Sequence, residues 1–135
     1  MATPGFYDVL AEEDRRIVGV NFVDLRSRIA GVGPIAVDPG AQNKGTGCAL
    51  MHAVMDVAIK QNAEGIRLVL AAYHNRSLCL YTRLGFRLAS HCPSCKVPRS
   101  TYAFQAMMFV ARRKPISRLA MGCAEKSMAL IALPN

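Results

Sequence analysis

Eleven residues constrain this chain more than any others: Val37-Asp38-Pro39-Gly40-Ala41-Gln42-Asn43-Lys44-Gly45-Thr46-Gly47. Ahead of them, Gly31 to Val37 has the chemistry of a strand. Pro39 has no N–H to give a ladder and Gly40 favours a turn, so that strand should stop there. Behind them the apolar period changes. Leu50, Met51, Val54, Val57 and Ala58 recur at three and four residues, which places them on one face of a helix from Thr46 to about Asn62. Gly65 follows the expected helix end, as a C-terminal cap prefers. Ile66 to Ala72 is a short apolar strand interrupted only by Arg67. Strand, helix and strand over residues 31–72 make a βαβ unit, whose strands should be parallel with a right-handed crossover.

The flanks extend this unit. Phe6 to Leu10 and Ile17 to Val23 are strand-like, and the polar Ala11-Glu12-Glu13-Asp14-Arg15 between them predicts an antiparallel hairpin. Asn75 can cap a second helix that runs to about Leu84, with Gly85 ending it and Phe86 folding back on its last turn. The expected fold class is α/β: a mixed sheet with an N-terminal antiparallel hairpin, then the βαβ unit and a second helix. Beyond Leu88 the pattern loosens. Residues 1–90 read as the core of a single domain. Residues 91–135 read as a basic segment with a strand at about 102–110 and a helix at about 117–130.

Composition excludes several classes. The 135 residues suit one domain, and 52 % apolar residues are too many for a disordered chain. No apolar run approaches the roughly 18 residues of a membrane span, so no membrane partner is expected. Met1 to Gly5 lacks the basic start and apolar stretch of a secretory leader. The odd number of cysteines, five, reads as reduced thiols in a cytoplasmic protein. The net charge of +8 is uneven: residues 1–40 carry −2, residues 41–90 carry +4 and residues 91–135 carry +6. Such a balance attracts phosphorylated partners. Nucleic acid is not expected among them, because basic and aromatic residues are not interleaved and no zinc-finger or RNA-recognition signature occurs. The last third reads as a solubilising tail. Structural zinc needs four ligands, and His91, Cys92 and Cys95 supply three, so no metal is expected.

The chemistry lies in the turn. Glycines let a backbone come close to a ligand, and the first turn of a helix offers free N–H groups at its positive dipole end. Together they form a phosphate cradle, to which Lys44 adds a full charge. Gly40 and Gly45 have the spacing of a P-loop, but Thr46-Gly47 stands where Lys-Ser/Thr is needed. Gly45-Thr46-Gly47 opens a dinucleotide fingerprint, but its third glycine position is Leu50. Neither ATP nor NAD is therefore the first choice, and a pyrophosphate in another setting suits the loop best.

Gln42-x-x-Gly45-x-Gly47, preceded by Val37-x-Pro39, resembles the acetyl-coenzyme-A loop of the GNAT N-acetyltransferase superfamily. Leu80-Tyr81-Thr82-Arg83-Leu84-Gly85-Phe86 is similar to that family's Leu-Tyr-x-Lys/Arg-x-Gly-Phe. The two motifs stand in order, with room between them for a helix and a strand, and the resemblance covers about residues 6–88. It implies that Gln42, Asn43, Lys44, Gly45, Thr46 and Gly47 hold the pyrophosphate of acetyl-CoA. Ile35, Ala36 and Val37 would lie beside the pantetheine arm, next to a V-shaped slot left by the strand at 66–72. A backbone N–H near Val37 would bind the acetyl carbonyl. Tyr81 would protonate the departing thiolate; filling the core is the alternative for that side chain. The family's cofactor-touching Asn stands seven residues before the Tyr. Here that position is His74, and the neighbouring Asn75 is preferred because it can also cap the helix. No general base is evident; Asp24, Asp38 and a water relay all remain.

The resemblance also implies an opening strand and two helices that are not found ahead of Phe6. The hairpin edge would then lack a partner and invite another chain, either a second copy or a second GNAT domain. Three functions follow. The first is an N-acetyltransferase moving acetyl from acetyl-CoA to an amine. The second is a partial GNAT module that binds coenzyme A, or packs against a partner, without turnover. The third is a basic nucleic-acid-binding protein.

Overall fold

The computed structural model describes residues 3–71, 73–91, 106–112 and 129–134. It is an α/β fold on a mixed sheet, with strands β1 (Phe6–Glu13), β2 (Arg16–Asp24), β3 (Ile29–Val32), β4 (Ala36–Val37), β5 (Gly65–Ala71), β6 (Arg87–His91), β7 (Ala106–Arg112) and β8 (Ala129–Pro134). Helices α1 (Thr46–Lys60) and α2 (Asn75–Arg83) complete it. The strand order is β6-β7-β5-β3-β2-β1-β8, with β4 paired to β2.

The hairpin is longer than expected. Ala11, Glu12 and Glu13 continue β1 rather than forming the turn, which is only Asp14-Arg15. Both turn residues have positive φ, 51° and 60°, the geometry that matches the twist of a two-residue hairpin. Ala11 is fully buried, so its place in the strand is fixed by the core rather than by the polar residues after it.

The strand expected from Gly31 to Val37 is two strands. Val32 pairs with Val23 of β2, but Ala36 pairs with Val20, so one extra residue is accommodated between β3 and β4. Gly33-Pro34-Ile35 forms this bulge; Pro34 has no N–H for a ladder, and the amide of Gly33 donates to the Phe22 carbonyl at 2.9 Å.

The βαβ unit forms as expected, with β3 and β5 parallel. Leu50, Met51, Val54, Met55 and Ala58 are the buried face of α1 and share one core with Val9, Val23, Ala30, Leu68, Tyr81 and Phe86. Both helices end in the same way. Past α1 the left-handed residue is Asn62 (φ 58°), not Gly65, and the amides of Asn62 and Ala63 donate to Ile59 and Ala58. Past α2 it is Gly85 (φ 85°), with the amides of Gly85 and Phe86 donating to Thr82 and Tyr81. Each is a Schellman cap. Gly65 instead opens β5.

Past Leu88 the chain returns to the sheet. Arg87–His91 is a strand that its sequence pattern did not reveal. The strand expected at 102–110 runs Ala106–Arg112, between β5 and β6, and residues 102–105 lie outside the described residues. Ala129 and Leu130, expected to end a helix, begin β8, while residues 117–128 lie outside the described residues. β8 pairs antiparallel with β1 from Tyr7↔Pro134 to Glu12↔Ala129. The hairpin edge expected to stand open is therefore covered by the chain's own last strand.

Candidate active site

The site begins where the sheet parts. The ladder between β3 and β5 ends at Gly31↔Arg67. Among the described residues, β5 pairs from Leu68 to Ala71 only with β7 on its far side, and β4 pairs only with β2. A slot therefore opens between β4 and the second half of β5, with the bulge at its edge. Asp38 donates its amide to the Val18 carbonyl at 2.8 Å. Bonded pairs alternate along an antiparallel ladder, so the N–H and C=O of Val37 turn away from β2, to the slot side.

The loop after Val37 is tied down residue by residue. The Asp38 carboxylate accepts from the amide of Gly40 at 2.8 Å and caps a 3₁₀ turn over Pro39–Ala41. Gln42 donates from Nε2 to the Val37 carbonyl at 3.1 Å. Asn43 takes a left-handed conformation (φ 63°) and Gly45 another (φ 91°) as the N-cap of α1. Buried Thr46 donates from Oγ1 to the Ala41 carbonyl at 3.0 Å. No side chain caps α1, so its leading amides point out of the helix with their dipole uncompensated.

Gly47 marks the mouth of the slot. A Cβ built there would meet Leu80 Cδ2 at 3.7 Å and Val37 Cγ2 at 3.9 Å, both ordinary contacts. Helix α1, helix α2 and strand β4 thus converge on this residue, and packing within the protein does not demand a glycine. The residues present fit a ligand that lies close to the main chain here. A diphosphate needs such amides and such room.

Lys44 lies 3.8 Å from Glu13 Oε2, an exposed and weak pairing that takes part of its charge. Tyr81 faces the core with 5 % exposure and meets Phe86 edge-on at 6.1 Å. Burial pushes its phenol above the ordinary 10.0, and a hydrogen bond with Ser77 pulls the other way. His74, not Asn75, occupies the N-cap of α2. Asn75 is the first helical residue and caps nothing with its side chain, which corrects the capping role expected of it. The helix starts one residue earlier than that role requires, and both residues are exposed.

The two carboxylates considered as bases are otherwise engaged. Asp24 accepts from the Arg26 guanidinium at 2.8 and 3.0 Å and from the Arg26 amide, and these bonds hold its pKa at about 2. Asp38 is the cap described above. Cys92 and Cys95 lie outside the described residues, and His91 is in β6. Sequence reasoning overlooked Arg76, whose guanidinium donates to Gln42 Oε1 at 3.3 Å and to Asn43 Oδ1. Its only signal was a position one residue inside a helix facing the loop.

A GNAT acetyltransferase domain model matches residues 5–88. The chain belongs to the GNAT acetyltransferase family. No match to a curated protein was found. Among solved structures, the ribosomal-protein-S18-alanine N-acetyltransferase of Escherichia coli superposes with a TM-score of 0.72 at 21 % identity, over 82 % of this chain and 71 % of that one. A GNAT acetyltransferase of Elizabethkingia anophelis with acetyl-CoA bound gives 0.66 at 18 %, over 77 % and 74 %. A Bacillus subtilis acetyltransferase in complex with CoA gives 0.64 at 20 %, over 76 % and 74 %. At these identities the likeness is one of fold.

Proposed function

We propose that this protein moves an acetyl group from acetyl-CoA to a primary amine by direct attack. The observation that carries the reading is the parted sheet: a slot beside bulged β4, with the Val37 amide on its side and the uncapped start of α1 at its mouth. The amides of Gly45, Thr46 and Gly47 would hold the diphosphate, with Gln42, Asn43 and Lys44 shaping and charging the loop. Ile35, Ala36 and Val37 would lie along the pantetheine arm, and Asn75 or His74 would touch it from α2. When bound, acetyl-CoA supplies an activated acyl carbon whose bond to sulfur is exchanged for a bond to the amine nitrogen. The Val37 N–H would donate to the acyl oxygen as negative charge grows there. Tyr81 would give its proton to the leaving sulfur, and the amine would lose its own to solvent. A phenol whose pKa is raised by burial keeps that proton at neutral pH, as the role requires.

The low exposure of Tyr81 also favours a second reading, a module that binds coenzyme A without turnover. Thiol release from acetyl-CoA, measured across a panel of amines, separates the two. Release that depends on an amine supports transfer. Tight binding of coenzyme A with no release for any amine supports the module. In either case Gly45→Glu and Gly47→Glu should abolish binding, because bulk and negative charge enter the cradle; unchanged affinity would return the loop to a purely structural role.

A further inference from the structure

We propose that Arg76 is a phosphate-binding residue of the coenzyme site, held in waiting by two neutral side chains of the loop. The proposal rests on the reading that this loop takes coenzyme A. Arg76 stands on the first turn of α2 and reaches across to the loop ahead of α1. Its guanidinium donates to Gln42 Oε1 at 3.3 Å and to Asn43 Oδ1. Gln42 in turn donates to the Val37 carbonyl at 3.1 Å. One side chain thus links α2, the anion loop and the strand edge of the slot.

Charge decides what this link is for. Among the described residues, the loop's other cation, Lys44, faces the Glu13 carboxylate, whereas Arg76 faces only amide oxygens. An exposed guanidinium bonded to neutral acceptors keeps its full charge for an anion. Its planar fork suits two phosphate oxygens better than two separate amides. Gln42 and Asn43 hold it over the loop, so it needs little reorganisation when a phosphate arrives. The exchange replaces neutral acceptors by charged ones, so it favours the loaded state. Two phosphate groups of coenzyme A could be the acceptor, the diphosphate or the ribose 3′-phosphate.

The test is calorimetric titration of the full chain with coenzyme A and with 3′-dephospho-coenzyme A. It compares wild type with Arg76→Ala, Arg76→Gln and Arg76→Lys. Loss of a charge-assisted bond weakens binding about tenfold. Arg76→Ala and Arg76→Gln should both show that loss for coenzyme A, and Arg76→Lys should recover only part of it, because Lys keeps the charge but not the planar fork. A loss that persists with the dephospho compound assigns the diphosphate, and one that vanishes assigns the 3′-phosphate; each supports the proposal. Wild-type affinity in Arg76→Gln would overturn it, since that variant keeps hydrogen bonds to the loop without the charge. Wild-type affinity in Arg76→Ala would do the same. A wild-type protein that binds neither compound would instead sink the coenzyme reading, and this inference with it.

Discussion

Tyr81 carries two duties that pull apart. Its ring belongs to the core, and its hydroxyl is the proposed proton donor. Tyr81→Phe keeps the ring, so steady-state kinetics should show kcat lowered by about 10²-fold with KM within a factor of two. Burial raises the phenol pKa, so the alkaline fall in rate should lie above pH 10.0 in wild type and disappear in the variant. The two cradle glycines make a sharper pair. Gly45 has φ 91°, so Gly45→Ala should cost about 1–2 kcal/mol of stability in a urea titration. Gly47 is helical, and a Cβ there meets only ordinary contacts. Gly47→Ala should melt like wild type yet bind coenzyme A at least about tenfold more weakly, because the methyl group occupies ligand space. Asp24 sets an acid limit. Its pKa falls from 3.8 to about 2 on folding, so the stabilisation by Arg26 is complete above pH 3.8 and is lost as pH falls through about 2. The stability gap between wild type and Asp24→Asn should close over that window; Arg26 is exposed and Asp24 only half-buried, so the gap is small.

At the scale of elements, the legible parts were those with a strong local period or a strong punctuator. Helix α1 ends within two residues of its expected limit, because Leu50, Met51, Val54 and Ala58 announce the buried face. The bulge was written in Gly33-Pro34 but was hidden by the β-branched residues around it. A one-residue slip shows only when both strands are paired. β8 was invisible for another reason. Met128 to Leu133 is apolar throughout, and such a run does not distinguish helix from strand. What decides it is the unfilled ladder of β1, more than a hundred residues away in sequence. Removing residues 129–135 should expose that ladder, and light scattering should then show dimers or larger species. A truncated chain that stays monomeric and equally stable would show that β8 contributes little.

For the molecule as a whole, the slot and loop are held by separate elements around one core, so a ligand that joins them should stabilise the entire fold. Coenzyme A at about 100 times its Kd adds about 2.7 kcal/mol by mass action, a rise in Tm on the order of 10 °C. The absence of any shift in thermal melting at millimolar coenzyme A would count against the site. The loop between β4 and α1 was legible as a turn before a helix, because Pro39, Gly40 and Gly45 punctuate it locally. The bonds from Arg76 to Gln42 and Asn43 depend on how α2 packs beside the loop, which no local pattern encodes. One geometric consequence belongs to the outermost pair of strands. Tyr7 and Pro134 stand opposite each other, far apart as they are along the sequence. A peptide link of a few residues from the end of β8 to the start of β1 would make these two strands a hairpin, so β8 could precede β1 in a permuted chain without rearranging the sheet. New termini could then be cut at an exposed turn such as Asp14-Arg15, leaving the parted strands untouched.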